Sequence, residues 1–316
     1  MNRAWKEIIK KIRESRKFLI TAHVSLEGDA LGSELATFIL LKRLHKRAVI
    51  YNNDQTPEIY KFLPYSEVIR NNLKGDKFDA AIVLDCSDSS RTGKVKDYLS
   101  RVDCIINIDH HISNTLFGDI NLIEPKVSST AEMLYGLCRR LHVMDRKIAL
   151  CLYTGIFTDT GNFTYTNTTK ETHKIVANLI HYNVSPRIIY ENTHSLCDYT
   201  DLKNIGRIIS HLKFDASGKI CWEIIKHWQD KNYDLTEVIF STMRLLRNVE
   251  VLILFKRIES KKIRVNFRSR SHVDVNKIAK FFGGGGHKSA SGTTIEDTLE
   301  SAVKKVVSFV ERNTIE

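Results

Sequence analysis

Two short apolar runs that each end in an acid, AAIVLD (80–85) and CIINID (104–109), constrain this chain most. Such runs carry no helical period and no polar alternation, so they read as strands buried on both faces. FLITAH (18–23) is a third of the kind, and AVIYN (48–52) reads as a further strand. Helical periods lie between and after them. Trp5, Ile8, Ile9 and Ile12 open the chain, and Leu31, Leu35, Phe38, Ile39 and Leu41 mark a second helix. Residues 129–142 and 146–158 read as two more, the latter apolar on several sides. Alternating strands and helices predict a mostly parallel sheet covered on both faces. Ligands then gather at the carboxyl ends of the strands, where His23, Asp85 and Asp109 stand.

The texture changes over 185–205, which contains Pro186 and many polar residues. We place a linker there, between a first domain at 1–184 and a second at 206–316. In the second, Ile220, Trp222 and Ile224 alternate, VLILF (251–255) is apolar, and Ile263, Val265 and Phe267 alternate with Arg264, Asn266 and Arg268. Leu299, Val303, Val306, Val307 and Val310 mark a last helix. The expected fold class is α/β: a mostly parallel N-terminal domain and a smaller mixed-sheet C-terminal domain, with a cleft between them.

With 42% hydrophobic and 27% charged residues the 316-residue chain is of the folded type, not the disordered one. It holds no apolar run long enough for a membrane helix and opens without a signal-peptide pattern, so a cytoplasmic protein is expected. Six cysteines without CxxC spacing predict neither disulfides nor a zinc ribbon. A net charge of +11 favours an anionic partner, although a lysine-rich solvated surface gives the same number.

Four blocks in the first half carry the chemistry. HVSLEGDALGS (23–33) puts His23, Glu27 and Asp29 directly after a strand. Imidazole and carboxylate together suit transition metals, and Gly28 and Gly32 are expected to let the backbone turn tightly around ions. LDCSDSSRTG (84–93) supplies Asp85, with Asp88 reading as a turn or cap residue and Arg91 as a surface cation or a phosphate clamp. NIDHHISN (107–114) sets two adjacent histidines behind Asp109, an arrangement poorly explained by core packing. One imidazole can bind metal while the other donates to a phosphoryl oxygen, and Asp109 can orient a ring. YTGIFTDTGNF (153–163) brings Asp159 at the end of a buried helix.

In the second half, FFGGGGHKSASG (281–292) lets backbone N–H groups approach an anion. RVNFRSR (264–270) is expected to align Arg264, Asn266, Arg268 and Arg270 on one strand face.

The four blocks, in this order over residues 17–165, resemble motifs one to four of the DHH phosphoesterases, and TAEM (130–133) resembles the segment that follows in stand-alone members. The glycine–His and RSR segments resemble the DHHA1 domain, and the whole chain resembles the compact nanoRNase and pAp-phosphatase group. The resemblance implies a two-metal site, usually manganese: His23, Glu27 and Asp85 for one ion, and Asp29, Asp85, His110 and Asp159 for the other. It gives His111 a contact with the scissile phosphate, and Asp109 the task of orienting the DHH block. Arg91, Arg268 and Arg270 would hold phosphate, while Gly284, Gly285, Gly286 and His287 would cradle the nucleotide end.

The implied reaction is hydrolysis of short RNA or DNA oligonucleotides to mononucleotides, or of 3′-phosphoadenosine 5′-phosphate (pAp) to AMP. Cyclic di-AMP or a linear dinucleotide is the alternative substrate. A catalytically weakened nucleotide-binding protein is the alternative of another class, and a homodimer stays open. One departure matters. The family's first block reads Asn-Pro-Asp-Gly-Asp; here it is Ser25-Leu26-Glu27-Gly28-Asp29. The longer acid keeps the charge but shifts its oxygen, which implies a retained site with altered metal preference, or partial loss of one metal.

Overall fold

A computed structural model describes residues 3–72, 77–194, 197–225, 235–270, 272–286 and 288–314. The chain divides into two units, Met1–Ser195 and Leu196–Glu316.

The first unit runs α1 (Arg3–Glu14), β1 (Lys17–Thr21), α2 (Gly28–Arg43), β2 (Arg47–Ile50), β3 (Ala80–Leu84), α3 (Lys96–Leu99), β4 (Ile105–Asp109), β5 (Ile120–Ile123), α4 (Thr130–Arg140), α5 (Arg146–Asp159), α6 (Lys170–Ile180) and α7 (Pro186–His194). Its five strands are all parallel, in the order β2-β1-β3-β4-β5. The reading of double burial holds. Phe18, Ile20, Ile82, Leu84, Ile106 and Ile108 face a large core with α1, α2, α4 and α5. Leu19, Ala81 and Val83 face a smaller one closed by Tyr51, Val95 and Leu99. The chain steps outward from β1 to β2, then returns to the other side of β1 as β3. That reversal opens a crevice at the carboxyl ends of β1 and β3. His23 follows β1 by two residues and Asp85 follows β3 by one, so both stand at this mouth.

The second unit runs α8 (Tyr199–Ile209), β6 (Lys213–Phe214), β7 (Ile220–Ile225), α9 (Thr236–Met243), β8 (Val251–Glu259), β9 (Lys262–Ser269), α10 (Val275–Phe281), β10 (Gly285–Gly286), β11 (Ala290–Ile295) and α11 (Leu299–Thr314). Its sheet is mixed, in the order β10-β11-β9-β8-β7-β6, with β7 and β8 parallel and the other pairs antiparallel. Ile253, Phe255, Val265 and Phe267 pack against α10 and α11. Leu252 and Leu254 pack on the opposite face with Ile205 of α8 and Phe240 of α9. The segment read as a linker, 185–205, therefore holds α7 and the start of α8, and the division falls between residues 195 and 196. Cys86, Cys104, Cys138, Cys151 and Cys221 are free and buried. Among the described residues no helix is long and apolar enough to cross a membrane.

Candidate metal centre

Four elements deliver the site. The turn after β1 carries His23, which is 3% exposed. Its Nδ1 lies 2.6 Å from the Val24 carbonyl. Since a carbonyl only accepts, Nδ1 carries a hydrogen and Nε2 is the ring atom that turns inward. There Nε2 stands 3.5 Å from Asp85 Oδ2 and 3.8 Å from Glu27 Oε1. Asp85 is buried, with its backbone at φ +52°, a left-handed conformation that side chains other than Gly, Asn and Asp adopt with difficulty. His110 Nε2 lies 3.6 Å from both Asp85 Oδ1 and Asp159 Oδ2. Asp29, in the first turn of α2, completes the array.

Among the described residues, two groups of three bring one ligand atom from each residue within 4.8 Å of the others: Asp85, His110 and His111, and Asp29, His110 and Asp159. Separations of 3.5–3.8 Å are too long for hydrogen bonds. They are near the ~3.0–3.4 Å that separates two ligand atoms each ~2.1 Å from a shared cation. The structure thus brings together seven of the predicted residues: His23, Asp29, Asp85, Asp109, His110, His111 and Asp159. Glu27 is at the rim, its side chain 62% exposed and 3.8 Å from His23.

The electrostatics fit a cation. Burial, and then the neighbouring Asp85, push Asp29 up to about 7. Burial and Asp29 likewise raise Asp159 well above the carboxylate range. Burial opposes charge on Asp85, yet His23, His111 and His110 together hold it below its ordinary value. Burial also opposes charge on His23, but Asp85 prevails and raises it to about 9. A divalent ion among these donors would replace the protons and relieve the acid–acid repulsion. The residues present therefore fit such an ion.

Further residues hold these donors in place, among them Thr130 and Ala131 of the TAEM segment, Asn114 of the DHH block and Asn167, to none of which the sequence assigns a role. The N-terminus of α4 points at Asp29: Thr130 N–H donates to Oδ2 at 2.7 Å and Ala131 N–H to Oδ1 at 2.9 Å. Backbone donors at a helix start favour an anion. The Thr130 hydroxyl also donates to Asp85 Oδ1 at 3.1 Å. Asn167 donates to the Asp159 carbonyl at 3.1 Å. Buried Asp109 accepts from His111 Nδ1 at 2.6 Å and from Asn114 Nδ2 at 2.7 Å. Asp88 is the cap expected of it, accepting from Ser90 N–H at 2.8 Å. Arg91 lies in the same loop, its Nη1 3.5 Å from Ser87 Oγ.

The role expected for Gly28 and Gly32 needs correction. Both belong to α2 and neither has a positive φ. A Cβ on Gly28 would sit 2.4 Å from Thr158 Oγ1, and one on Gly32 2.4 Å from the Cys151 carbonyl oxygen. They let α2 lie directly against α5, which sets Asp29 beside Asp159. From sequence, a glycine that permits a turn and one that permits helix contact look alike.

Similarity to known proteins identifies the family. Residues 17–156 match the DHH family N-terminal domain, and 208–314 match the DHHA1 domain. The bifunctional oligoribonuclease and PAP phosphatase NrnA of Thermus thermophilus is 31% identical over 304 residues, covering 92% of this chain and 88% of that protein. The chain belongs to the DHH family. It is accordingly a phosphoric-ester hydrolase. The NrnA of Bacillus subtilis is 27% identical over 298 residues, with 92% of each chain covered. The solved structure of an exopolyphosphatase-related protein from Bacteroides fragilis superposes with a TM-score of 0.89 at 25% identity, covering 98% of this chain and 96% of that one.

In the DHHA1 unit the strand alternation is as read for Arg264, Asn266 and Arg268, but Arg270 falls beyond β9, which ends at Ser269. Arg268 pairs with Glu237 and lies 4.8 Å over the Phe240 ring, while Arg270 Nη1 donates to the Leu246 carbonyl at 2.6 Å. Both guanidiniums are thus held by their own domain. Gly285 and Gly286 form β10, paired with Gly292 and Ser291. Gly284 abuts the Gly292 carbonyl, where a Cβ would come within 2.2 Å. The glycine run therefore has a packing role. At Gly285 a Cβ would meet nothing within 4 Å, so its backbone is open to approach. His287 lies outside the described residues.

Proposed function

We propose that this DHH protein hydrolyses very short oligonucleotides to mononucleotides and removes the 3′-phosphate of pAp, using two divalent cations, preferentially manganese. One observation carries the reading: His110 Nε2 is 3.6 Å from Asp85 and from Asp159, and joins two overlapping ligand groups. An imidazole nitrogen has one lone pair and serves one ion, but Asp85 presents Oδ2 to His23 at 3.5 Å and Oδ1 to His110 at 3.6 Å, so its carboxylate has an oxygen for each of two ions. As the motifs imply, His23, Glu27 and Asp85 would hold one ion and Asp29, Asp85, His110 and Asp159 the other, Asp85 serving both. Such ions, when bound, lower the pKa of water and neutralise phosphoryl charge.

The protein's own groups do the rest. Asp109 orients His111 toward a phosphoryl oxygen, so that the imidazole stabilises charge on the transferring group. Arg91 supplies a further cation at the first unit's mouth. Arg268, Arg270 and the backbone of Gly284, Gly285 and Gly286, with His287, grip the far end of the substrate, Arg268 exchanging Glu237 for phosphate. The names of the relatives support the substrate class: those from Thermus and Bacillus are called oligoribonuclease and PAP phosphatase.

The test is a ladder of labelled oligonucleotides of two to twenty-four residues, with pAp and cyclic di-AMP alongside, in manganese and after chelation. Turnover confined to the shortest chains and pAp, lost with chelator and lowered about 10³-fold or more in Asp85→Ala, is expected. Preferred turnover of cyclic di-AMP would replace the substrate. Binding without hydrolysis in any metal would replace the enzyme with a nucleotide-binding protein.

A further inference from the structure

Asn114 belongs to none of the roles assigned above, yet it closes the hydrogen-bonding shell of a fully buried acid. Asp109 has no exposed surface. Its Oδ1 faces His111 Nδ1 at 2.6 Å, and its Oδ2 accepts from Asn114 Nδ2 at 2.7 Å. The direction of the Asn114 amide is itself determined. Its Oδ1 accepts from Leu116 N–H at 2.8 Å, so the amino end must point inward. There it also reaches Asn107 Oδ1 at 2.8 Å. Asn107, equally buried, donates to the Cys86 carbonyl at 3.1 Å and the Val83 carbonyl at 3.3 Å. A chain of contacts therefore runs from the end of β3, which delivers Asp85, through Asn107 and Asn114 to Asp109 and His111.

We infer that Asn114 is a positioning residue for His111. The rotation of an aspartate carboxyl about its last torsion is soft, so its partners set its plane. With Asn114 holding one oxygen, the other is fixed in direction, and the His111 ring follows with Nδ1–H toward Asp109. Remove Asn114 and Oδ2 becomes a buried acceptor with a lost partner, free to turn and compete for the imidazole hydrogen. The inference rests on the proposed hydrolysis for its kinetic consequence alone. The ring geometry stands apart from it.

The experiment compares wild type, Asn114→Ala and Asp109→Asn by histidine ¹⁵N spectra in magnesium, dinucleotide kinetics and manganese titration. In wild type, His111 is expected as one tautomer protonated at Nδ1. In Asn114→Ala the hydrogen stays on Nδ1, because either Asp109 oxygen accepts it, but the His111 signals broaden or split as the ring takes more than one orientation. There kcat falls ~10–100-fold, KM and manganese affinity stay within about 3-fold, and Asp109→Asn added to it costs less than it does alone. Single, unchanged His111 signals, or a loss of kcat that tracks loss of manganese, overturn the inference. Should Asn114→Ala not fold, Asn107→Ala is read the same way, with a smaller drop in kcat and the same broadened or split signals expected. Should wild type hydrolyse nothing, the proposed function fails while the comparison of His111 signals still decides the role of Asn114.

Discussion

Thr130 holds two acids at once, its backbone N–H on Asp29 at 2.7 Å and its hydroxyl on Asp85 at 3.1 Å. Thr130→Val keeps the shape and the backbone bond but leaves Asp85 without that donor. Manganese affinity by titration calorimetry should fall ~10-fold, toward the lower end for groups that orient metal ligands. Thr130→Ser should stay within about 2-fold, because its hydroxyl reaches the same oxygen.

Glu27→Asp restores the shorter acid of the family's first block. Glu27 is exposed and sits 3.8 Å from His23, at the edge of the ligand array. Its replacement should leave kcat in manganese within about 10-fold while changing the manganese-to-magnesium activity ratio. Steady-state assays in the two metals measure this. A ratio equal to wild type would mean that Glu27 contacts no ion.

Glu34 gives a pH dependence of stability. It is fully buried, accepts from Asn52 Nδ2 at 2.8 Å, and burial raises it from 4.5 to about 8. Between those values the folded chain keeps a proton that the unfolded chain has lost. The sign is therefore a fall of stability with rising pH, at up to ~1.4 kcal/mol per unit for this one group. Glu34→Gln removes that term. Its amide has a poorer fit, since Glu34 Oε1 finds no hydrogen-bond partner, so the variant should be weaker at pH 5. The deficit should shrink steadily toward pH 8 in urea melts. A constant difference across that range would contradict the assignment.

Gly32→Ala tests the α2–α5 contact. The added methyl would sit 2.4 Å from a backbone carbonyl oxygen that cannot swing aside. Overpacking of this kind costs about 1–3 kcal/mol. Denaturant titration should show that loss, and manganese affinity should drop with it because Asp29 rides on α2.

Much of the first domain was legible because its strands are apolar on both faces, which leaves few other readings for AAIVLD or CIINID. Strand-end positions then exposed His23, Asp85 and Asp109 as groups without a packing reason. The short β5, INLI at 120–123, was missed because it is only half buried and has no clear alternation. Thr130 and Asn114 were missed for a different reason. A threonine in the first turn of a helix and an asparagine in a loop have ordinary local uses, and only the fold brings them to Asp29 and Asp109. The arginines of RVNFRSR show the converse: the pattern located them, but not that Glu237, Phe240 and the Leu246 carbonyl already engage them.

The left-handed backbone at Asp85 has a practical corollary. Asparagine tolerates φ +52° about as well as aspartate, whereas valine, threonine or isoleucine would not. Asp85→Asn should thus preserve the mouth of the crevice while removing the anion at its centre. That makes it the substitution of choice for trapping an uncleaved nucleotide for crystallography, where an alanine at the same place would relax the turn as well as silence it.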